Sequence, residues 1–143
     1  MLDSPSTPPV NPVLIHRLIV LALLVGQVAF GATCLLGRLP LLHDQGQQLQ
    51  LALGLAGLAL AELVVNYMFL KPRAPLRRPE QTPEQYWANP QARAFAIVVW
   101  AVYASAGFLG GVGFLLTGSY VPALVSVAAL VVLLYQPPAV FSA

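Results

Sequence analysis

Four runs of apolar residues divide the chain, and the polar residues fall mostly between them. The runs are Leu18–Leu36, Leu49–Leu70, Phe95–Leu116 and Tyr120–Tyr135. The first three reach the ~20 residues an α-helix needs to cross a hydrocarbon core about 30 Å thick. The fourth is shorter, with Tyr120 and Tyr135 at its ends, where membrane-interface aromatics belong. Lipid offers no partner to a free backbone group, so each run is predicted to be a continuous helix. The expected fold is all-α: an integral-membrane four-helix bundle made of two transmembrane hairpins, over residues 11–72 and 89–143.

The punctuation supports this division. Asn11-Pro12 precedes the first run and Asn89-Pro90 the third. Asn is a good N-cap, and Pro suits the first helical position, where its missing N–H costs nothing. Leu70-Lys71-Pro72 and Tyr135-Gln136-Pro137 close the second and fourth runs, since Pro cannot continue a helix. The shared frame reads as a weak repeat of two parallel hairpins, although any four-span chain needs four starts and stops. Residues 73–88 form a basic loop between the hairpins. Within it, Thr82-Pro83-Glu84 predicts a short helix over Pro83–Ala88, lying at the interface and anchored by Tyr86 and Trp87. Residues 1–10, with Pro5, Pro8 and Pro9, read as a disordered N-terminus.

Composition narrows the class. Of 143 residues, 58% are hydrophobic and 8% charged, with mean hydropathy +0.76. Soluble domains carry about 25% charged residues. Arg17, Lys71, Arg73, Arg77, Arg78 and Arg93 fall on one side of the predicted spans, and Arg38 on the other. The positive-inside bias therefore places both termini and the central loop on the cytoplasmic side of a bacterial inner membrane. The first run exceeds the ~7–15 residues of a signal-peptide core and a second follows closely, so it reads as a retained helix. A net charge of +2, concentrated in one loop, does not point to nucleic acid. Cys34 is the single cysteine, which excludes an internal disulfide framework. Lys71, Arg73, Arg77 and Arg78 make a juxtamembrane cluster. They fix topology, and each also contributes ~1 kcal/mol of attraction to anionic lipid; a cytoplasmic partner is the other contact they could make.

One feature stands apart from this apolar background. Glu62 is the sole carboxylate inside the four runs. An ionisable group at that depth costs a few kcal/mol or more, so it calls for a partner or a purpose. Gln27 and Ser105 fall at the centres of their runs, and Asn66 lies one turn from Glu62 on the same helical face. These four are expected to meet in the bundle interior. A neutral Glu62 carboxyl can donate to Gln27, with Asn66 and Ser105 completing a structural network of bonds worth ~0.6–2 kcal/mol each. The same four are candidates for binding an ion or proton.

Small residues recur at helix-packing intervals: Gly107 with Gly111, Ala52 with Ala56, Ala22 with Gly26 and Gly57 with Ala61, with Gly110 beside them. Small faces let helix backbones approach closely in lipid. They can serve the bundle itself or neighbouring membrane subunits.

His16 and His43 lie at opposite membrane edges and cannot share one haem. A single His can ligate a chlorophyll-type pigment, but a hydrated interfacial His16 is the simpler expectation. The sequence holds no His/Cys/Asp/Glu cluster with metal spacing. It has no glycine loop leading to Lys-Ser/Thr and no nucleophile with a nearby base. No enzymatic activity and no cofactor are predicted, a bound lipid or pigment apart.

Gln27 on one helix and Glu62 on the next resemble the ion site of rotary-ATPase proteolipid subunits, and the four-span layout is similar to that of the duplicated proteolipids. Gly107, Gly110, Gly111 and Gly113 resemble their tightly packed inner helices. The stretch from Arg93 to Gly118 is also similar to small bacterial four-span proteins whose third span often carries the carboxylate. Here Trp100–Gly107 has no acid. The resemblance implies ion binding at Gln27 and Glu62. The loop from Arg38 to Asp44 departs from the polar Arg-Gln-Pro loop of those subunits, and by the charge rule it faces outward. The reading that follows is a non-enzymatic accessory subunit of a larger membrane assembly, acting by helix packing and lipid contact. The alternative is a small ion- or proton-translocating protein built on Glu62.

Overall fold

A computed structural model describes residues 11–37 and 45–135. The N-terminal segment 1–10, Arg38, His43 and the tail beyond Tyr135 lie outside the described residues. The elements are α1 (Pro12–Leu36), α2 (Gln45–Val65), α3 (Pro83–Ala88), α4 (Pro90–Thr117) and α5 (Tyr120–Tyr135). Among the described residues there is no strand. Among the described residues, three helices are long and apolar enough to cross a membrane: α1, α2 with its extension to Arg73, and α4. The 16 residues of α5 span about 24 Å at the α-helical rise.

Local chemistry sets the helix starts. The Asn11 side chain accepts from the Val13 N–H at 2.9 Å and that of Asn89 from the Gln91 N–H at 2.9 Å, each followed by Pro at the first helical position. Thr82 and Gln85 exchange reciprocal bonds in a capping box that opens α3. Gly118 ends α4 at φ 67°, a left-handed conformation that glycine adopts without a Cβ penalty. The second span departs from a plain stop at Pro72. Its helix widens into a π turn over Asn66–Leu70 and then tightens into a 3-10 turn over Lys71–Arg73. At that junction the Lys71 N–H reaches back to the Asn66 carbonyl.

The centre of the molecule is α4. Half of its apolar window is buried, against 17% for α1 and for α2. Helices α5, α2 and α1 all pack on it, and α2 also lies along α5. Although consecutive in sequence, α1 and α2 scarcely touch. Glycines on two sides of α4 explain this arrangement. A Cβ on Gly107 would collide with the Gln27 side chain, and one on Gly111 would meet Phe30 at 2.7 Å, so this pair receives α1. A Cβ on Gly110 would lie 2.5 Å from the Pro122 carbonyl oxygen, and one on Gly113 2.8 Å from the Pro122 Cβ, so this pair receives α5. On α2, Ala52, Ala56 and Ala59 are buried, and Ala59 meets Ala106 and Ala129 in a close-packed alanine cluster. Other small residues face outward. Gly57 is exposed with open space beside it, Ala22 and Ala61 are exposed, and Gly26 is half-buried near Phe108.

Candidate functional site

The polar side chains within the long apolar helices do not converge on one point. Asn66 is fully buried, and its Nδ2 donates to the Val99 carbonyl at 2.7 Å, tying the π turn to α4. Its Oδ1 is buried without a partner. Gln27 is 4% exposed and lies against Gly107, with neither amide atom hydrogen-bonded. Glu62 is half-buried, one carboxyl oxygen sealed from solvent and without a partner. Gln27 and Glu62 therefore share no hydrogen bond, and their helices are not neighbours. Ser105 corrects the expectation further: it is exposed on the outer face of α4. Depth along a helix follows from counting residues, but the face depends on where the other helices dock. An unanticipated residue takes the inward role. Ser126 on α5 donates its hydroxyl at 2.6 Å to the carbonyl of Gly107, the same glycine that Gln27 lies against.

A second cluster forms at the Lys71–Arg93 end, and here too the expectation is corrected. Tyr86 and Trp87 are 2% and 1% exposed, so α3 is folded onto α1 and α4 instead of resting outside as an anchor. His16 is 1% exposed, not hydrated. Its ring stacks on Trp87 with centroids 4.2 Å apart and meets the edge of Trp100 at 6.0 Å. The His16 Nδ1–H donates to the Pro12 carbonyl at 2.6 Å, because a carbonyl can only accept. Nε2 is left buried without a partner. Tyr86 donates its hydroxyl to the Pro75 carbonyl at 2.7 Å, fastening the loop to the helix. Burial pushes the Tyr86 phenol above its ordinary value of 10.0. Spacing from the helix starts did not mark this cluster, since His16 lies four residues past Pro12 and Trp100 ten past Pro90; the rings meet only because α3 folds back over both helices.

The four basic residues separate into two groups. The Arg77 Nε–H donates to the Gln81 carbonyl at 2.6 Å, and the Arg78 backbone N–H to the Gln81 side chain at 3.4 Å, shaping the loop. Arg78 also lines a cavity of about 400 Å³ with Pro75, Glu80 and Tyr86. Lys71 and Arg73 sit in the 3-10 turn that ends the extension of α2, with the Lys71 Nζ 5.2 Å from the centre of the Tyr67 ring. No group of three or more His, Cys, Asp or Glu side chains that could hold a metal occurs among the described residues. No family model, curated protein or solved structure matches the chain.

Proposed function

We propose that this chain is a non-catalytic structural subunit of a membrane assembly, working by helix packing. In this reading all four long helices span a bacterial inner membrane, with both ends and the Lys71–Arg93 loop in the cytoplasm. The observation that carries it is the dispersal of the intramembrane polar groups. Asn66 and Ser126 each hold a different α4 carbonyl, and Gln27 packs on a glycine of the same helix. Such ties stabilise a bundle, while an ion site needs its ligands around one point. The lightly covered helices α1 and α2 supply the surface for neighbouring subunits. Native mass spectrometry of the protein extracted from its own membrane in mild detergent tests this. A defined set of different partner subunits is expected; a homo-oligomer or a lone monomer overturns the reading.

The alternative, ion or proton translocation, is favoured by one observation: the Glu62 carboxyl sits within a span with a sealed, unpartnered oxygen. Intramembrane acids are functional candidates by default. Replacing Glu62→Gln separates the two readings. Lost assembly with normal flux assigns Glu62 to structure, and lost proton flux in a folded variant assigns it to transport.

A further inference from the structure

A groove opens on the membrane-facing surface where α2 meets α5, at the end of the bundle that carries Lys71. Its volume is about 440 Å³, within the ~300–1,000 Å³ of small-molecule sites. Leu63, Val64, Tyr67, Met68, Tyr103 and Val132 line it, and the Tyr103 side chain at its base is 1% exposed. The walls are apolar. Tyr67 and Met68 belong to the π turn, and such turns are frequent at functional sites.

One turn beyond the groove, the character of the surface changes. Lys71 is held over the ring of Tyr67, a lining residue, and Arg73 follows two positions later. No carboxylate pairs with Lys71 among the described residues. An apolar slot about 12 Å long by helical rise, from Leu63 to Lys71, thus ends at an uncompensated cation. The shape and charge match a molecule with an apolar tail and an anionic head.

We propose that this groove binds an anionic phospholipid, one acyl chain lying between α2 and α5 over Tyr103 and the phosphate resting on Lys71. The interaction between Lys71 and Tyr67 fixes the cation at the groove mouth, so the charge is placed before the lipid arrives. The site differs from a general basic surface in requiring both parts. Arg77, bonded to the Gln81 carbonyl, and Arg78, on the separate cavity beside Pro75 and Tyr86, are not among its residues. It does not depend on the subunit reading, since a lone monomer would bind lipid equally well.

The test uses the full purified chain in phosphatidylcholine vesicles with trace phosphatidylglycerol or phosphatidylcholine spin-labelled on the acyl chain. The motionally restricted fraction is expected to favour phosphatidylglycerol about fivefold, the selectivity one well-placed basic residue confers. Lys71→Gln should bring that ratio to near one while leaving restricted phosphatidylcholine in place. Leu63→Trp should fill the groove and release both lipids; Val132→Phe serves the same end if the first variant does not fold. Arg93→Gln should leave the ratio unchanged. A ratio that survives Lys71→Gln, or is lost instead with Arg77→Gln, overturns the assignment. So does undiminished restriction of both lipids in a folded groove-filled variant. Disulfide-linked dimers through Met68→Cys in a Cys34→Ser background, formed with no restricted lipid, would give the groove to a second copy of the chain.

Discussion

The fully buried Asn66 side chain crosses from the π turn to a carbonyl of α4. Asn66→Ala is expected to lower bundle stability by ~0.6–2 kcal/mol, the range for interhelical bonds in membranes, as read by reversible unfolding in detergent micelles. The glycines separate more sharply. An added Cβ at Gly110 meets backbone atoms of Pro122 and Ser126, which cannot swing aside. Gly110→Ala should therefore cost ~1–3 kcal/mol through overpacking. Gly57 has nothing within 4 Å. There Ala should cost nothing and can gain up to ~1 kcal/mol from helix preference. A larger loss at Gly57 than at Gly110 in the same unfolding measurement would overturn this assignment of faces. The sequence marked both glycines as packing positions, because spacing alone does not say which side a neighbour occupies. Ser105 is outside and Ser126 inside for the same reason: helices apolar all round carry no stripe that points to the core.

At the scale of elements, what was legible depended on whether the cause was local. Each start at Asn11, Thr82 and Asn89 is written within a few residues, and the α3 boundaries Pro83–Ala88 were read correctly. The π turn was not legible, because it serves a distant contact between Asn66 and Val99. Nor was the docking of α3, since Tyr86 and Trp87 suit a membrane surface as well as they suit a core. That docking makes a prediction about pH. The neutral phenol of Tyr86 is the form the folded state holds, so its folded pKa stands above the unfolded value of about 10. Its stabilising contribution is complete below that value and disappears as pH rises through the raised folded pKa. Hydrogen exchange along α3 should accelerate in that alkaline window, and Tyr86→Phe should remove the dependence. Trp87→Ala should undock α3 at neutral pH, at a cost of ~3–5 kcal/mol typical of a buried Trp, with protease cleavage appearing between Lys71 and Pro90.

For the whole molecule, composition and run lengths were enough to reach apolar helices of membrane length, because the hydrocarbon core imposes those lengths directly. The arrangement of helices was not, as sequence neighbours are only the default spatial neighbours and glycines on α4 override it. The proposed orientation has a direct check. With Cys34→Ser and Glu80→Cys, an impermeant maleimide should label the protein in inverted inner-membrane vesicles and not in intact spheroplasts. The reverse pattern would invert the topology.

The separation of α1 from α2 also bears on how the protein is made. The two helices leave the ribosome before α4, yet each has its principal seat on that helix, which follows some seconds later at ~5–20 residues per second. In the proposed membrane setting, Gln27 and Asn66 would both face lipid during that interval, without the helix that shelters them. A nascent chain halted after Arg73 thus presents two orphaned spans, a ready substrate for an insertase that shields polar residues or for a membrane protease that removes unfinished chains.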